Sequence, residues 1–255
     1  MIRIARAGQT TQALGNMIGQ SVSVGGGGFS PLDISNCKIW LDFSDSTTIT
    51  KDGSNRVSKV EDKSGNGYDS VQATGGSQPL WVSADQNGLD VINFASNRNL
   101  AQESAFTAIE QPITIFVACV LPEAGGSANY ALYDGIDVTN RLSFQGNGLD
   151  PPETFYMFAG SVLNSSNDTG NAAWGTTYNL FNGASSLGDV NGTQVLSGDV
   201  GSKDLTGLTI ASQFNDGNMG LMKIGEIICY DKAVTGTEKA SVITYLEEKW
   251  GLWNI

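Results

Sequence analysis

The chain contains no histidine. That removes the commonest general base, every Ser-His or Cys-His nucleophile pair and any imidazole metal ligand, so chemistry would fall to carboxylates or to Tyr and Lys pairs. Cysteine is scarce as well. Cys37, Cys119 and Cys229 form an odd set without metal-ligand spacing, each inside an apolar run (NCKIWL, IFVACVL, EIICYD), and are expected as buried thiols rather than a disulfide framework. No stretch approaches the ~18 apolar residues of a membrane span. The N-terminal MIRIARAGQTTQALGNMIGQ lacks the apolar core of a secretion signal, so the expectation is a soluble protein made in a cytoplasm. Positive charge is also short: 14 Lys and Arg stand against 26 Asp and Glu, a net charge of −12. Phosphate neutralisation needs clustered cations, which excludes nucleic acid as a partner and argues against an anionic membrane surface.

What is abundant is the chemistry of turns. The 255 residues include 32 glycines, and Asn, Ser and Thr crowd between short apolar runs, as in chains of many strands joined by tight connections. The runs Ile34–Phe43, Val91–Phe94, Ala131–Tyr133, Arg141–Phe144, Thr154–Ala159, Tyr178–Phe181, Leu208–Ala211 and Lys223–Tyr230 read as strands. ITIFVACVL (Ile113–Leu121), the longest apolar run, reads as a central strand buried on both faces. Turn signals separate them, among them Gly65-Asn66-Gly67, Asn87-Gly88, Asn182-Gly183, Asn191-Gly192 and Asp216-Gly217. About a dozen strands at this spacing suit two packed antiparallel sheets. The pattern breaks only at the end. Thr235 and Glu238 have capping-box spacing, and Ala240, Ile243, Leu246 and Trp250 recur at helical spacing until Gly251.

The first thirty residues stand apart. Ile2 and Ile4 alternate with Arg3 and Arg6, a Gln/Thr stretch follows, and Gly25 to Gly28 close the segment. Arg3 and Arg6 are the only charged side chains before Asp33, so this arm carries +2 and leaves −14 for the remainder. The organisation expected is an extended basic arm (1–30) and one β-sandwich domain (31–255). Ile2, Arg3, Ile4 and Arg6 are the candidate assembly residues, able to add a strand to a partner sheet edge and pair with acidic groups.

Three constellations invite a chemical reading. Glu226 and Asp231 in EIICYD are the nearest thing to a carboxylate pair, but five residues apart on a strand they point to opposite faces, and the Glu-x-Asp spacing of a retaining glucanase is missing. No catalytic residue is assigned. Asp62, Ser64 and Asn66 before Gly67 have the one-three-five oxygen spacing of a calcium loop, yet Ala73 occupies the twelfth position where a bidentate Glu belongs. Calcium is therefore the one cofactor to consider, against a turn held by Asx hydrogen bonds. The cluster Asn215, Asp216, Gly217, Asn218 carries the same two readings, metal loop or hairpin loop. For a sugar platform the candidates are Trp174 and Tyr178, in a loop-rich stretch, with Trp81 after Pro79; each has core or rim packing as its alternative. Trp40 and Trp250 are expected in the core.

The segments WLDFSDSTTIT (Trp40–Thr50), VEDKSGNG (Val60–Gly67), ITIFVACV, DVNGTQV (Asp189–Val195) and KIGEIICYDKAVTGTEKASVITYLEEKWGL (Lys223–Leu252) together resemble concanavalin A-like lectin/glucanase domains of the laminin G-like type, which occur in bacterial surface proteins and bacteriophage virion proteins. The resemblance implies a jelly-roll sandwich of two antiparallel sheets with one short C-terminal helix, a concave face that holds sugar chains in relatives, and in some a rim calcium. With the arm added, it implies a non-enzymatic virion structural protein, in the capsid decoration or a tail fibre. Its partners would be other virion proteins or copies of itself, with host surface glycans as an alternative target. A polysaccharide-degrading enzyme is the third reading.

Overall fold

The computed structural model describes residues 28–94, 98–101, 106–121, 129–147, 154–165 and 173–252. In chain order the strands are β1 (Cys37–Asp42), β2 (Ile49–Lys51), β3 (Val57–Val60), β4 (Ser70–Val71), β5 (Leu80–Gln86), β6 (Leu89–Phe94), β7 (Leu100–Ala101), β8 (Ile113–Val120) and β9 (Tyr130–Asp134). There follow β10 (Ser143–Asn147), β11 (Thr154–Phe158), β12 (Val162–Asn164), β13 (Trp174–Phe181), β14 (Ser186–Val190), β15 (Thr193–Gly198), β16 (Thr209–Ile210) and β17 (Met222–Tyr230), and then helix α1 (Gly236–Trp250).

They form two antiparallel sheets. One runs β15-β14-β13-β8-β17-β6-β5, with β1 also paired to β17; the other runs β12-β11-β10-β9-β16-β7-β4-β3-β2. This is the sandwich of two antiparallel sheets that the resemblance implies. The alternation of β8 explains it physically. Ile113, Ile115, Val117 and Cys119 face the other sheet and meet Leu132, Phe144, Phe155, Met157 and Ile210, while Phe116 and Ala118 face outward against α1. A strand covered on both sides needs no polar face, so ITIFVACV is an unbroken apolar run. Each large side chain buried there contributes about 1.5–3 kcal/mol.

The helix covers the outer face of the eight-stranded sheet. Its buried stripe is Val242, Leu246 and Trp250, set on Phe116, Tyr178, Ile228 and Tyr230. Two expectations are corrected here. Ala240 is exposed and Ile243 only half-buried, because the helix turns Val242 rather than these toward the sheet. No capping box forms either: Thr235 is the N-cap without a side-chain hydrogen bond, and Glu238 instead accepts from Lys232 at 2.8 Å. Gly251 ends the helix as expected, at a φ of 63° that favours glycine.

The hairpins β5–β6 and β14–β15 turn at Asn87-Gly88 and Asn191-Gly192, whose φ values of 49° and 75°, and 50° and 74°, are those of type I′ turns. Cys119 and Cys229 are buried free thiols as expected; Cys37, also free, is only half-buried at the start of β1. The stretch from Ile34 to Asn36 is not strand. Pro31–Asp33 forms a 3-10 turn capped by Ser30, and pairing begins at Cys37.

Candidate ligand-binding face

The nine-stranded sheet has one face in the core and one turned away from it. In β10 and β11, Phe144, Phe155 and Met157 point inward, so Gln145 and its cross-strand partner Tyr156 stand on the outer face. By the same alternation Val71, Ala101, Thr209 and Asp134 share that face, paired in register across β4, β7, β16 and β9. These strands pair at only one or two positions each, which leaves the connecting loops to build the surface.

A cavity of about 360 Å³ opens on this face, lined by Val71, Gln72, Ala73, Asn99, Ala101, Ile136, Thr209, Phe214 and Asp216. It lies at the lower end of the ~300–1,000 Å³ typical of small-molecule sites. A polar chain crosses it: the Gln72 amide donates to Asn99 Oδ1, and Asn99 Nδ2 donates to Asp216 Oδ1 at 2.7 Å. Asn99 is buried and thereby fixed. Asp216 sits in the loop between β16 and β17, closed by Gln213 N donating to Gly217 O at 2.8 Å and Asp216 N to Gln213 O at 3.0 Å. Asp216 and Asn218 both adopt positive φ there, 59° and 49°.

The Phe214 ring is held from behind. The Arg141 guanidinium lies 5.0 Å from its centroid and 5.1 Å from that of Phe158, a cation between two aromatic faces. Arg141 Nε also donates to both oxygens of Asp134, at 2.9 and 2.8 Å. Burial raises the Asp134 carboxyl to about 6, although Arg141 and the Gly135 and Phe214 amides pull it down. Beside the cavity, Gln145 Oε1 accepts from Tyr156 Oη, from Gln213 Nε2 at 2.9 Å and from Asn218 Nδ2 at 3.3 Å.

The residues singled out from sequence lie elsewhere. Tyr178 is 1% exposed, its hydroxyl donates to Val234 O at 3.1 Å and its ring packs on Phe116, so it is a core residue beneath α1 and not an open platform. Trp174 is half-buried and stacks parallel on Trp250 at 5.7 Å, beside a groove of about 480 Å³ that includes Asp85, Asn93 and Lys223. Both belong to the eight-stranded sheet. Trp81 is half-buried against the intersheet core, with Lys51 4.3 Å from its ring. The arm residues Ile2, Arg3, Ile4 and Arg6 lie outside the described residues.

Asp62, Ser64 and Asn66 form a turn held by Asx bonds. Asp62 Oδ1 accepts from Trp40 N and Ser64 N, both at 2.9 Å, and Oδ2 accepts from Ser64 Oγ at 2.6 Å and Tyr68 N at 3.0 Å. Asn66 turns its amide donor, not its oxygen, to the carbonyls of Cys37 and Lys38. The calcium geometry is therefore not what this loop presents. Glu226 is fully buried under α1, its oxygens accepting from Trp40 Nε1 (2.6 Å), Tyr245 Oη (2.8 Å), Lys249 Nζ (2.8 Å) and Trp250 Nε1 (3.1 Å). Trp40, expected in the core, is half-buried and supplies one of these donors. Asp231 leads into the turn after β17 and pairs with Lys38 at 3.5 Å.

No protein-family model and no curated protein matches the chain. Solved structures do. Domain 4 of AbnA, a GH43 extracellular arabinanase from Geobacillus stearothermophilus, in complex with arabinotriose, superposes with a TM-score of 0.57 at 13% identity, covering 83% of this chain and 98% of that one. The botulinum neurotoxin serotype G binding domain gives 0.58 at 11% identity, over 85% of this chain and 54% of that one. Trypanosoma rangeli sialidase in complex with sialic acid gives 0.57 at 10% identity over 85% of this chain. The chain spans only about a third of that sialidase, 33%. At these identities the likeness is one of fold, the all-β sandwich.

Proposed function

We propose that the chain is a non-catalytic glycan-binding module that takes its ligand on the outer face of the nine-stranded sheet. The observation that carries this reading is the cavity in which Phe214, braced by Arg141, stands with the Gln72–Asn99–Asp216 chain. A sugar ring offers an apolar C–H face and a rim of hydroxyls. An immobilised aromatic ring and pre-oriented acceptors match both at little ordering cost. Two of the similar solved structures are complexes with sialic acid and arabinotriose, which supports the reading by analogy of fold alone.

The carboxylates support binding without hydrolysis. Most glycoside hydrolases place two of them astride the bond. Among the described residues Asp216 is the single carboxylate lining the cavity, Asp134 is spent on Arg141, and Glu226 is sealed beneath α1. The test is an oligosaccharide array probed with the full chain and its Phe214→Ala and Trp174→Ala variants. Saturable binding lost in Phe214→Ala and kept in Trp174→Ala supports the assignment; loss only in Trp174→Ala moves the site to the other sheet.

A second element rests on the charge split of +2 on the arm against −14 on the rest. Such a module is tethered by its arm to a larger particle, which the resemblance suggests is a bacteriophage virion. Deleting residues 1–27 is expected to abolish incorporation into particles; normal incorporation removes the tether from the account.

A further inference from the structure

The polar groups of the Phe214 cavity are matched to one kind of sugar. Resting on the glycan reading above, we infer that the ligand is a neutral, hydroxyl-rich oligosaccharide and that Asp216 discriminates against sialylated or uronate-bearing chains.

The hydrogen-bond directions carry the argument. One Asn99 Nδ2–H goes to Asp216 Oδ1 and Asn99 Oδ1 accepts from Gln72, Gln72 Oε1 takes the Thr74 amide at 3.0 Å, and the Thr209 hydroxyl donates to Gly135 O at 3.0 Å. After these internal bonds, the charged group left to meet a ligand among the described lining residues is the second carboxylate oxygen of Asp216, which has no protein donor among the described residues and sits on an exposed loop. A water-exposed anionic acceptor can exchange its solvent for a donor, and a sugar hydroxyl is one. The carboxylate of a sialate or uronate brings a second negative charge and no proton to share.

Nothing in the lining compensates such a charge. None of the nine lining residues is Lys or Arg. Of the cations in the neighbouring segments, Arg141 is paired with Asp134 and Lys59 with Asp69 and Glu61, while Arg56 and Arg98 donate to the carbonyls of Gly75 and Gln78 and are not among the lining residues. The field of a chain with net charge −12 adds a general repulsion of anionic polymers. The floor of Val71, Ala101 and Ile136 leaves the rest of the contact apolar, suited to a ring face.

The experiment uses the full chain on matched pairs, each a neutral oligosaccharide and the same core capped with sialic acid or oxidised to a uronate, at physiological salt. The expected result is that the acidic member binds at least about tenfold more weakly than its neutral partner. In Asp216→Asn that ratio narrows. Equal or tighter binding of the acidic member, or a ratio unmoved by Asp216→Asn, overturns the inference while the glycan reading stands. If no member of any pair binds, the glycan reading itself falls and takes the inference with it.

Discussion

The ammonium of Lys249, in the last turn of α1, lies 2.8 Å from Oε2 of the fully buried Glu226 on β17. It lies equally close, 2.8 Å, to Oδ1 of Asp42 at the end of β1. Asp42 in turn binds Lys63 at 3.0 Å, and Lys63 binds Asp45 at 2.7 Å. Burial works to raise the Asp42 carboxyl, but Lys249, Ser44 and Lys63 outweigh it and hold Asp42 below its usual range. For Glu226 burial wins over Lys249, and its carboxyl is raised. This clasp ties the end of the helix to two strands, and what it holds closed is the outer layer of the sandwich.

Lys249→Met leaves both carboxylates without their shared cation in a site where water does not reach Glu226. Breaking a buried pair in this way costs about 3–5 kcal/mol. Urea denaturation is expected to show that loss, and adding Glu226→Gln to the variant to recover part of it by removing one stranded charge. A loss below 1 kcal/mol, as for an exposed ion pair, would contradict the clasp.

Gly225 is where β17 slips its register against β8, between Ile224 and Glu226. The slip lets Ile224 and Ile227 both face the core and turns Glu226 out under the helix. A Cβ at Gly225 would come within 2.6 Å of Cη2 and Cζ2 of Trp250, a buried ring that cannot yield freely. Gly225→Ala is therefore expected to destabilise the fold by about 1–3 kcal/mol and to change the near-ultraviolet circular dichroism of Trp250. An unchanged melting temperature and spectrum would refute the close approach.

Asp134 predicts a pH dependence of defined sign. Its carboxyl is raised by burial from 3.8 to about 6, so between those values the folded chain binds more protons than the unfolded one. Stability from this group is then greatest below about pH 4 and is lost as pH rises through 6, levelling off about one unit above. Comparing urea midpoints of the wild type and Asp134→Asn from pH 4 to 7 isolates it: the wild type should lose ground to the variant across that range. The opposite slope would mean that Arg141 governs the carboxyl instead.

The Asp62 turn predicts indifference to calcium. Both carboxylate oxygens already accept two bonds each, so a cation would have to displace four donors. EDTA and added calcium are expected to leave the melting temperature unchanged, and Asp62→Ala to cost about 1–3 kcal/mol through stranded backbone donors. A melting temperature that falls with EDTA and returns with calcium would restore the metal loop.

Much of the fold is legible in the sequence where burial is two-sided or turn chemistry is strict. ITIFVACV announces a central strand because both its faces are covered, and Asn87-Gly88 and Asn191-Gly192 announce hairpins because few other pairs accept two left-handed residues. The strands β2, β4, β5 and β7 are not foreseen, since half-exposed or two-residue strands carry no apolar period. The candidate site is legible only in fragments. Asn215 to Asn218 stands out as an oxygen-rich loop, but its use depends on Asn99, more than a hundred residues away, whose side chain reaches Asp216 only after β7 and β16 pair. Tyr178 misleads because an aromatic in a polar stretch reads as exposed, and nothing local reveals that α1 folds over it.

The most direct test of the central claim is amide hydrogen exchange of the full chain with and without a saturating oligosaccharide selected on the array. The account predicts slowed exchange at residues 71–73, 99–101 and 209–217, around the Phe214 cavity, with 174–178 and 189–192 unchanged. Slowing confined to 174–178 and its neighbours on the eight-stranded sheet, with 209–217 unaffected, would contradict it.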